Sequence, residues 1–195
     1  AYTTLDGKKV LMDENDLILT PNWVWHGLGN ESESHSVSWI DFLDDPLVSH
    51  LQTIFYEVRD EQSSSLPVQD DSPLQIKWAE VKRCLAKQPN IDPLGRHRIE
   101  LPSRPISTMR LMAEDLPAGH QTGRSKSTAN RLFIGADGAG VIAVGDNRFD
   151  WTRGDVIAVP AWTQFHHETS SGGILVEIND EPVKEAFDWY RALHD

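Results

Sequence analysis

The sequence predicts an all-β fold with a few peripheral helices. Short apolar runs bounded by Gly, Asp or Pro recur along the chain, the pattern of strands ended by tight turns. One block of such runs occurs twice, in register. Helical spacing of apolar residues is confined to two segments, one central and one C-terminal.

The elements follow in order. Residues 2–10 alternate around Asp6-Gly7, a two-residue hairpin signal that favours positive φ. Residues 17–20 form a strand stopped by Pro21. Residues 60–71 are rich in Ser, Asp and Gln and read as an exposed linker. Ser72 then reads as an N-cap with Pro73 in the first helical position. Leu74, Trp78, Val81 and Leu85 predict an amphipathic helix over 73–87, with Cys84 buried on its stripe and Pro89 and Pro93 closing it. Residues 135–140 read as a Gly-rich turn between strands, not a phosphate cradle. Strands are expected at 141–144, 156–159 and 174–178. Asp180, Pro182, Val183, Phe187, Tyr190 and Leu193 predict a C-terminal helix with one apolar face.

The repeat lays residues 1–26 on 140–165 without a gap. Val10 falls on Phe149, Asp16 on Asp155, Pro21 on Pro160 and Trp23 on Trp162. The second copy is preceded by about 25 residues that read as part of the same unit. The first copy has no counterpart of them, so the chain is expected to start inside a domain.

Composition narrows the function. The formal charge of −12 repels phosphate backbones and anionic bilayers, which argues against nucleic-acid and membrane partners. A single cysteine excludes an internal disulfide and a CxxC zinc site. The expected compartment is the reducing cytoplasm. The serines at 63–65 lack a GxSxG elbow.

Short strands ending in Gly-Asp-x4-Pro-x-Trp resemble the second conserved motif of the cupin barrel, a jelly-roll-like double-stranded β-helix. The strings 16–26 (DLILTPNWVWH), Gly29-Asn30 and 39–47 (WIDFLDDPL) resemble, more narrowly, the gentisate 1,2-dioxygenase family of bicupins. That family includes salicylate and 1-hydroxy-2-naphthoate dioxygenases. The strings 116–119, 149–155, 159–162 and 180–182 extend the match.

The resemblance implies one partial and one complete cupin barrel. Residues 1–50 would be the end of the first barrel and 51–105 a linker with one helix. Residues 106–180 would be the second barrel and 181–195 a C-terminal helix. It also implies Fe(II), held by three imidazoles and leaving positions for a 2-hydroxybenzoate and O2. His26 matches the third ligand. Trp23, Trp25 and Asp41 match residues of the pocket or of the layer behind the ligands; Asp41 reads equally well as a cap or a solvated carboxylate.

The two ligands of the His-x-His strand are absent. The repeat register puts the first-copy equivalents of Ser125 and Ser127 ahead of Ala1. In the second barrel Ser125, Ser127 and Phe165 stand where ligands belong, so that barrel is expected to hold no metal. No catalytic residue is assigned, and where the family often has His-Asp-His-Gly-Asn this chain has His26-Gly-Leu-Gly-Asn30, in which Leu28 cannot orient or protonate anything. His120, His166 and His167 read as surface or turn residues, and Arg96, Arg98, Arg104 and Arg110 as surface charges. Three functions stay open. One is gentisate-type ring cleavage by a longer protein, this chain being inactive alone. Another is a metal-free cupin module for small-acid binding or oligomer assembly. The third is a metal-free cupin isomerase or sugar-binding protein with an apolar barrel. Unpaired strand edges in residues 1–45 predict association into at least a homodimer.

Overall fold

The computed structural model describes residues 1–58, 66–88 and 91–194. Residues 60–65 of the predicted 60–71 linker, Ser63–Ser65 among them, and Pro89 lie outside the described residues. The chain forms two compact units, Ala1–Trp78 and Ala79–Asp195. Among the described residues no helix is long and apolar enough to cross a membrane.

In the first unit, β1 (Tyr2–Leu5) and β2 (Lys8–Leu11) form the expected hairpin, with Leu5 opposite Lys8. Asp6 and Gly7 take φ of 46° and 78°, the left-handed pair that a two-residue hairpin needs. After β3 (Leu17–Ile18), β4 (His26–Gly29) returns to pair with β1, His26 opposite Leu5. A short helix, α1, spans Asp45–His50. β5 (Gln75–Ile76) pairs with β3 just before α2 (Trp78–Lys87). Tyr2, Leu5, Val10, Leu19, Ile76 and Trp78 are buried.

The second unit is built on one strand. After β6 (His97–Glu100), β7 (Arg110–Leu116) and β8 (Ser125–Ser127), β9 runs 14 residues from Arg131 to Val144. The first half of β9 pairs with β11 (Val156–Val159) and β13 (Gly173–Asn179). Its second half pairs with β10 (Asn147–Thr152) and β12 (Phe165–Glu168). β7 extends the first group through β13 and is itself flanked by β6. β8 extends the second through β12 and is flanked by β14 (Ala192–His194), which follows α3 (Glu181–Ala186). The inner faces of the two groups meet, with the Phe133 ring 5.4 Å from Phe165 and 4.6 Å from His167. Leu116, Ile142, Trp151, Ile157 and Leu175 complete the apolar core.

Four expectations need correction. The helix begins at Trp78, not at 73, because Gln75–Ile76 is taken as a partner by β3. Ser72 makes a turn instead, its Oγ accepting from Leu74 N, and Asp16 Oδ1 accepts from Trp78 N at 2.8 Å. The C-terminal helix ends at Ala186. Asp188 turns left-handed (φ 56°), and pairing with β8 makes residues 192–194 a strand. Residues 135–140 are no turn but the middle of β9, bulged where Ile174 faces Asp137 and Leu175 faces Gly135, with Ala136 the extra residue between them. Cys84 is exposed, 3.5 Å from Glu80 Oε1, while Trp78, Val81 and Leu85 form the buried stripe.

One side of the interior is charged. The buried Arg131 guanidinium donates to Glu177, Glu181 and Ser127 Oγ. Burial opposes its charge, but Glu177 and Glu181 outweigh that and hold it firmly protonated. Arg98 Nη1 lies 3.6 Å from Glu177 Oε2. Glu114, paired across from Arg98 and Leu175, is 1% exposed. Burial pushes its carboxyl up to about 7, against the pull of Arg96 and Arg98.

Two predictions follow from this packing. A Cβ at Gly173 would lie 2.6 Å from Trp151 Cη2 and 2.7 Å from the Asp137 carbonyl. Gly173→Ala is expected to cost about 1–3 kcal/mol by urea unfolding; an unchanged midpoint would show that β9 and β13 can part freely. Glu114 binds its proton more tightly folded than unfolded, so its contribution to stability is full below pH 4.5 and is lost as pH rises to about 7. Glu114→Gln is expected to flatten that loss, worth about 3 kcal/mol at most, when urea midpoints at pH 5 and pH 8 are compared with wild type.

Candidate functional site

The sequence repeat is a repeat of hydrogen bonds. Asp6 N donates to Trp25 O at 2.8 Å, and Gly145 N to Gln164 O at 2.8 Å. Val24 N donates to Pro21 O, and Thr163 N to Pro160 O. The Asp16 carboxylate accepts from Asp13 N, as Asp155 does from Thr152 N. Trp23 and Trp162 both take left-handed backbone, φ 69° and 63°. That conformation costs a residue with a Cβ about 1–2 kcal/mol, yet both copies keep it. The turn it makes aims the next strand. That strand is β4 in the first copy, with His26 opposite Leu5, and β12 in the second, with Phe165 opposite Val144. His26 and Phe165 thus hold the same place on the same scaffold.

His26 is exposed, and its Nδ1 lies 3.0 Å from Val24 O. A carbonyl can only accept, so Nδ1 carries the proton and Nε2 presents its lone pair outward. This is the tautomer a metal ligand needs. The remaining first-copy residues are less gathered. Trp25 is half-buried and its N–H donates to Asp6 Oδ1 at 3.1 Å. Trp23 is 83% exposed and meets Phe55 edge-on at 5.1 Å. Asp41 is exposed in an irregular segment, and no hydrogen bond among the described residues joins it to His26. No group of three or more His, Cys, Asp or Glu among the described residues is placed to hold a metal ion. The first copy therefore offers one ligand of the right tautomer.

The second barrel suits a metal poorly at the matching place. Ser125 lies opposite Phe165 and its Oγ is 3.2 Å from His194 Nδ1. Ser127 Oγ accepts from Arg131 Nη2 at 3.0 Å. The Arg131 cation lies 5.8 Å from the Phe165 ring. Two hydroxyls already engaged and a phenyl ring give a divalent cation neither imidazole nor carboxylate at these three positions.

Several interior residues escaped the sequence reading. His166 and His167 are buried in β12, not at the surface. His167 shares the inward face with Phe165, and burial, followed by the positive charges of Arg96, Arg98 and Arg131, pushes its imidazole down to about 3. It is neutral at ordinary pH. Arg96, Arg98 and Arg110 are largely buried in ion pairs with Asp92, Glu177, Glu181 and Glu185, whereas Arg104 is exposed. Period-two alternation from Phe165 was the available signal for His167. Glu114 and Glu177 gave none, because charged residues inside a strand ordinarily mark its solvent face.

No family model matches the chain. A gentisate 1,2-dioxygenase of a Streptomyces species is 28% identical over 221 aligned residues, covering 95% of this chain and 62% of that protein. A 5-aminosalicylate 1,2-dioxygenase of a Comamonas species is 28% identical, covering 97% and 59%. The chain thus spans about three-fifths of the length of these curated relatives. A salicylate 1,2-dioxygenase from Pseudoaminobacter salicylatoxidans, solved as an adduct with gentisate, matches the fold with a TM-score of 0.92. Its identity is 22%, covering all of this chain and 63% of that one. The architecture is the all-β cupin type, and by sequence the chain is a relative of the gentisate, 5-aminosalicylate and 1-hydroxy-2-naphthoate 1,2-dioxygenases.

Proposed function

We propose that the chain is part of an Fe(II)-dependent enzyme that opens the ring of gentisate or a related 2-hydroxybenzoate with O2. The observation that supports this best is His26, with Nδ1 committed to the Val24 carbonyl and Nε2 free to bind a metal. Bound there, iron would bring an aromatic acid and O2 together and accept electron density from the substrate oxygens. The chain's own part is to hold His26 in one tautomer, on a strand aimed by the strained turn at Trp23.

Residues 1–50 are the end of a first barrel and 106–180 a second one in this reading, with 51–105 between them and 181–195 closing the chain. β4 has one strand neighbour, β1, among the described residues, whereas its copy β12 is flanked by β8 as well. A strand added in the place of β8 would face His26 as Ser125 faces Phe165. The two further imidazoles belong there, and the 195 residues alone are inactive without them. The open edge also favours assembly with another chain, in the cytoplasm where the aromatic acid is met. The second barrel holds no iron.

Anaerobic loading with Fe(II), followed by desalting, tests the reading. The 195-residue chain is expected to keep fewer than about one iron per ten chains, because one imidazole cannot retain the ion. In a longer protein that supplies the other ligands, His26→Ala is expected to lower iron content and gentisate-dependent O2 uptake at least about 100-fold. Stoichiometric iron that survives His26→Ala would overturn the assignment.

A further inference from the structure

The hydrogen bond that sets the His26 tautomer does not end at its carbonyl. The Val24 C=O, 3.0 Å from His26 Nδ1, and the Trp25 N–H belong to one peptide group. That group is planar and trans, so its carbonyl and its N–H point in opposite directions. On the N–H side stands the Asp6 carboxylate, its Oδ1 accepting from Trp25 N at 3.1 Å. Carboxylate, peptide and imidazole thus form one continuous chain of hydrogen bonds. Hydrogen bonds in series polarise one another, and a negative charge at the N–H end makes the carbonyl at the other end a better acceptor. Asp6 also grips the other backbone polar group of Trp25, since its own N–H donates to Trp25 O at 2.8 Å.

The second copy of the repeat acts as a control. There Asp6 falls on Gly145, Trp25 on Gln164 and His26 on Phe165. Gly145 N keeps the backbone bond to Gln164 O, also at 2.8 Å, but glycine has no carboxylate to offer. Asp6 at φ 46° and Gly145 at φ 57° hold the same left-handed place, where glycine is the easier residue. The backbone bond is common to both copies and belongs to the scaffold. The side-chain bond occurs in the copy that ends in an imidazole, and in the other copy carboxylate and imidazole are replaced together.

We propose that Asp6 is a positioning residue for His26: acting through the Val24–Trp25 peptide, it fixes the imidazole as the Nδ1–H tautomer and keeps Nε2 free for a metal. This rests on the reading of His26 as an iron ligand. It gives Asp6, through one intervening peptide, the part that a carboxylate plays when bonded directly to a ligand imidazole.

The sample is the 195-residue chain without metal, labelled with ¹⁵N. At about pH 9, above the ordinary histidine range, the ring nitrogen shifts of His26 give its ratio of Nδ1–H to Nε2–H forms. Its signals are identified by their loss in His26→Ala. Asp6→Gly puts the second copy's own residue at this position, so the turn is kept while the carboxylate is removed. It is expected to lower the ratio at least about threefold. Asp6→Asn, which retains an oxygen acceptor, is expected to return the ratio to within about twofold of wild type. A merely structural role would leave the ratio unmoved as long as β1 and β4 stay paired, Leu5 opposite His26. An unmoved ratio in a paired Asp6→Gly chain, or a ratio that Asp6→Asn does not restore, overturns the proposal. Should Asp6→Gly lose that pairing, the wild-type chain decides: a scalar coupling across the hydrogen bond from Trp25 N–H to the Asp6 carboxylate is expected, and its absence overturns the proposal. The ligand reading fails on a different measurement, iron that survives His26→Ala, so the two failures are told apart.

Discussion

The second unit depends on a single strand serving both of its sheets. β9 pairs with β11 and β13 through its first half and with β10 and β12 through its second. A straight strand cannot do this, since its partners would lie in one plane. β9 bends at the bulge where Ala136 is the extra residue between Gly135 and Asp137, and at Gly138, whose φ of 74° is closed to most side chains. The bend folds the two strand groups face to face and lets Phe133 meet Phe165 and His167. The indole of Trp151 fills the space made where Gly135, Gly140 and Gly173 have no side chains. Packing, bulge and glycines are one device, and the interior chemistry exists because of it.

Within that interior the positive charge is a guanidinium. Arg131 is held by two carboxylates and a serine, with its Nη atoms engaged and its Nε unpartnered. A buried ion pair of this kind adds little net stability over an apolar core of the same shape, but removing one partner strands the others at a cost of about 3–5 kcal/mol. The network is therefore hard to leave by single substitutions. Ser127 Oγ accepts from the Arg131 guanidinium and the Phe165 ring lies 5.8 Å from it, so substitutions at either position act on the charge network as well.

Elements defined by local chemistry were legible in the sequence. Asp6-Gly7 announces its turn, and the strand at 156–159 matches β11 residue for residue, because apolar alternation and a terminal Pro are local signals. Elements decided by distant partners were not. The helix start at Trp78 is set by Asp16, and the strand at 192–194 by β8. The glycines at 135–140 read as a turn because a strand able to bend looks, in sequence, like a chain that stops. The same limit hid Glu114 and Glu177, whose burial becomes sensible only beside Arg98 and Arg131. His26 was singled out by the resemblance carried by its Pro-x-Trp-x-Trp-His string, and the repeat supplied its counterpart, Phe165.

That repeat separates scaffold from function with unusual clarity. The two copies share their turn hydrogen bonds, their Asp-closed loops and a tryptophan forced into left-handed backbone. They differ in what the aimed strand carries. In β4 it is an imidazole with its outer nitrogen free, on a strand with one described neighbour. In β12 it is a phenyl ring packed at 3% exposure, on a strand with neighbours on both sides. The same backbone strain is retained at both copies although one aims an imidazole and the other a phenyl ring. It serves the barrel, by turning the chain sharply enough for the strand to return beside its partner. What the aimed strand carries is then free to differ, so the scaffold keeps its shape with either His26 or Phe165 at that place.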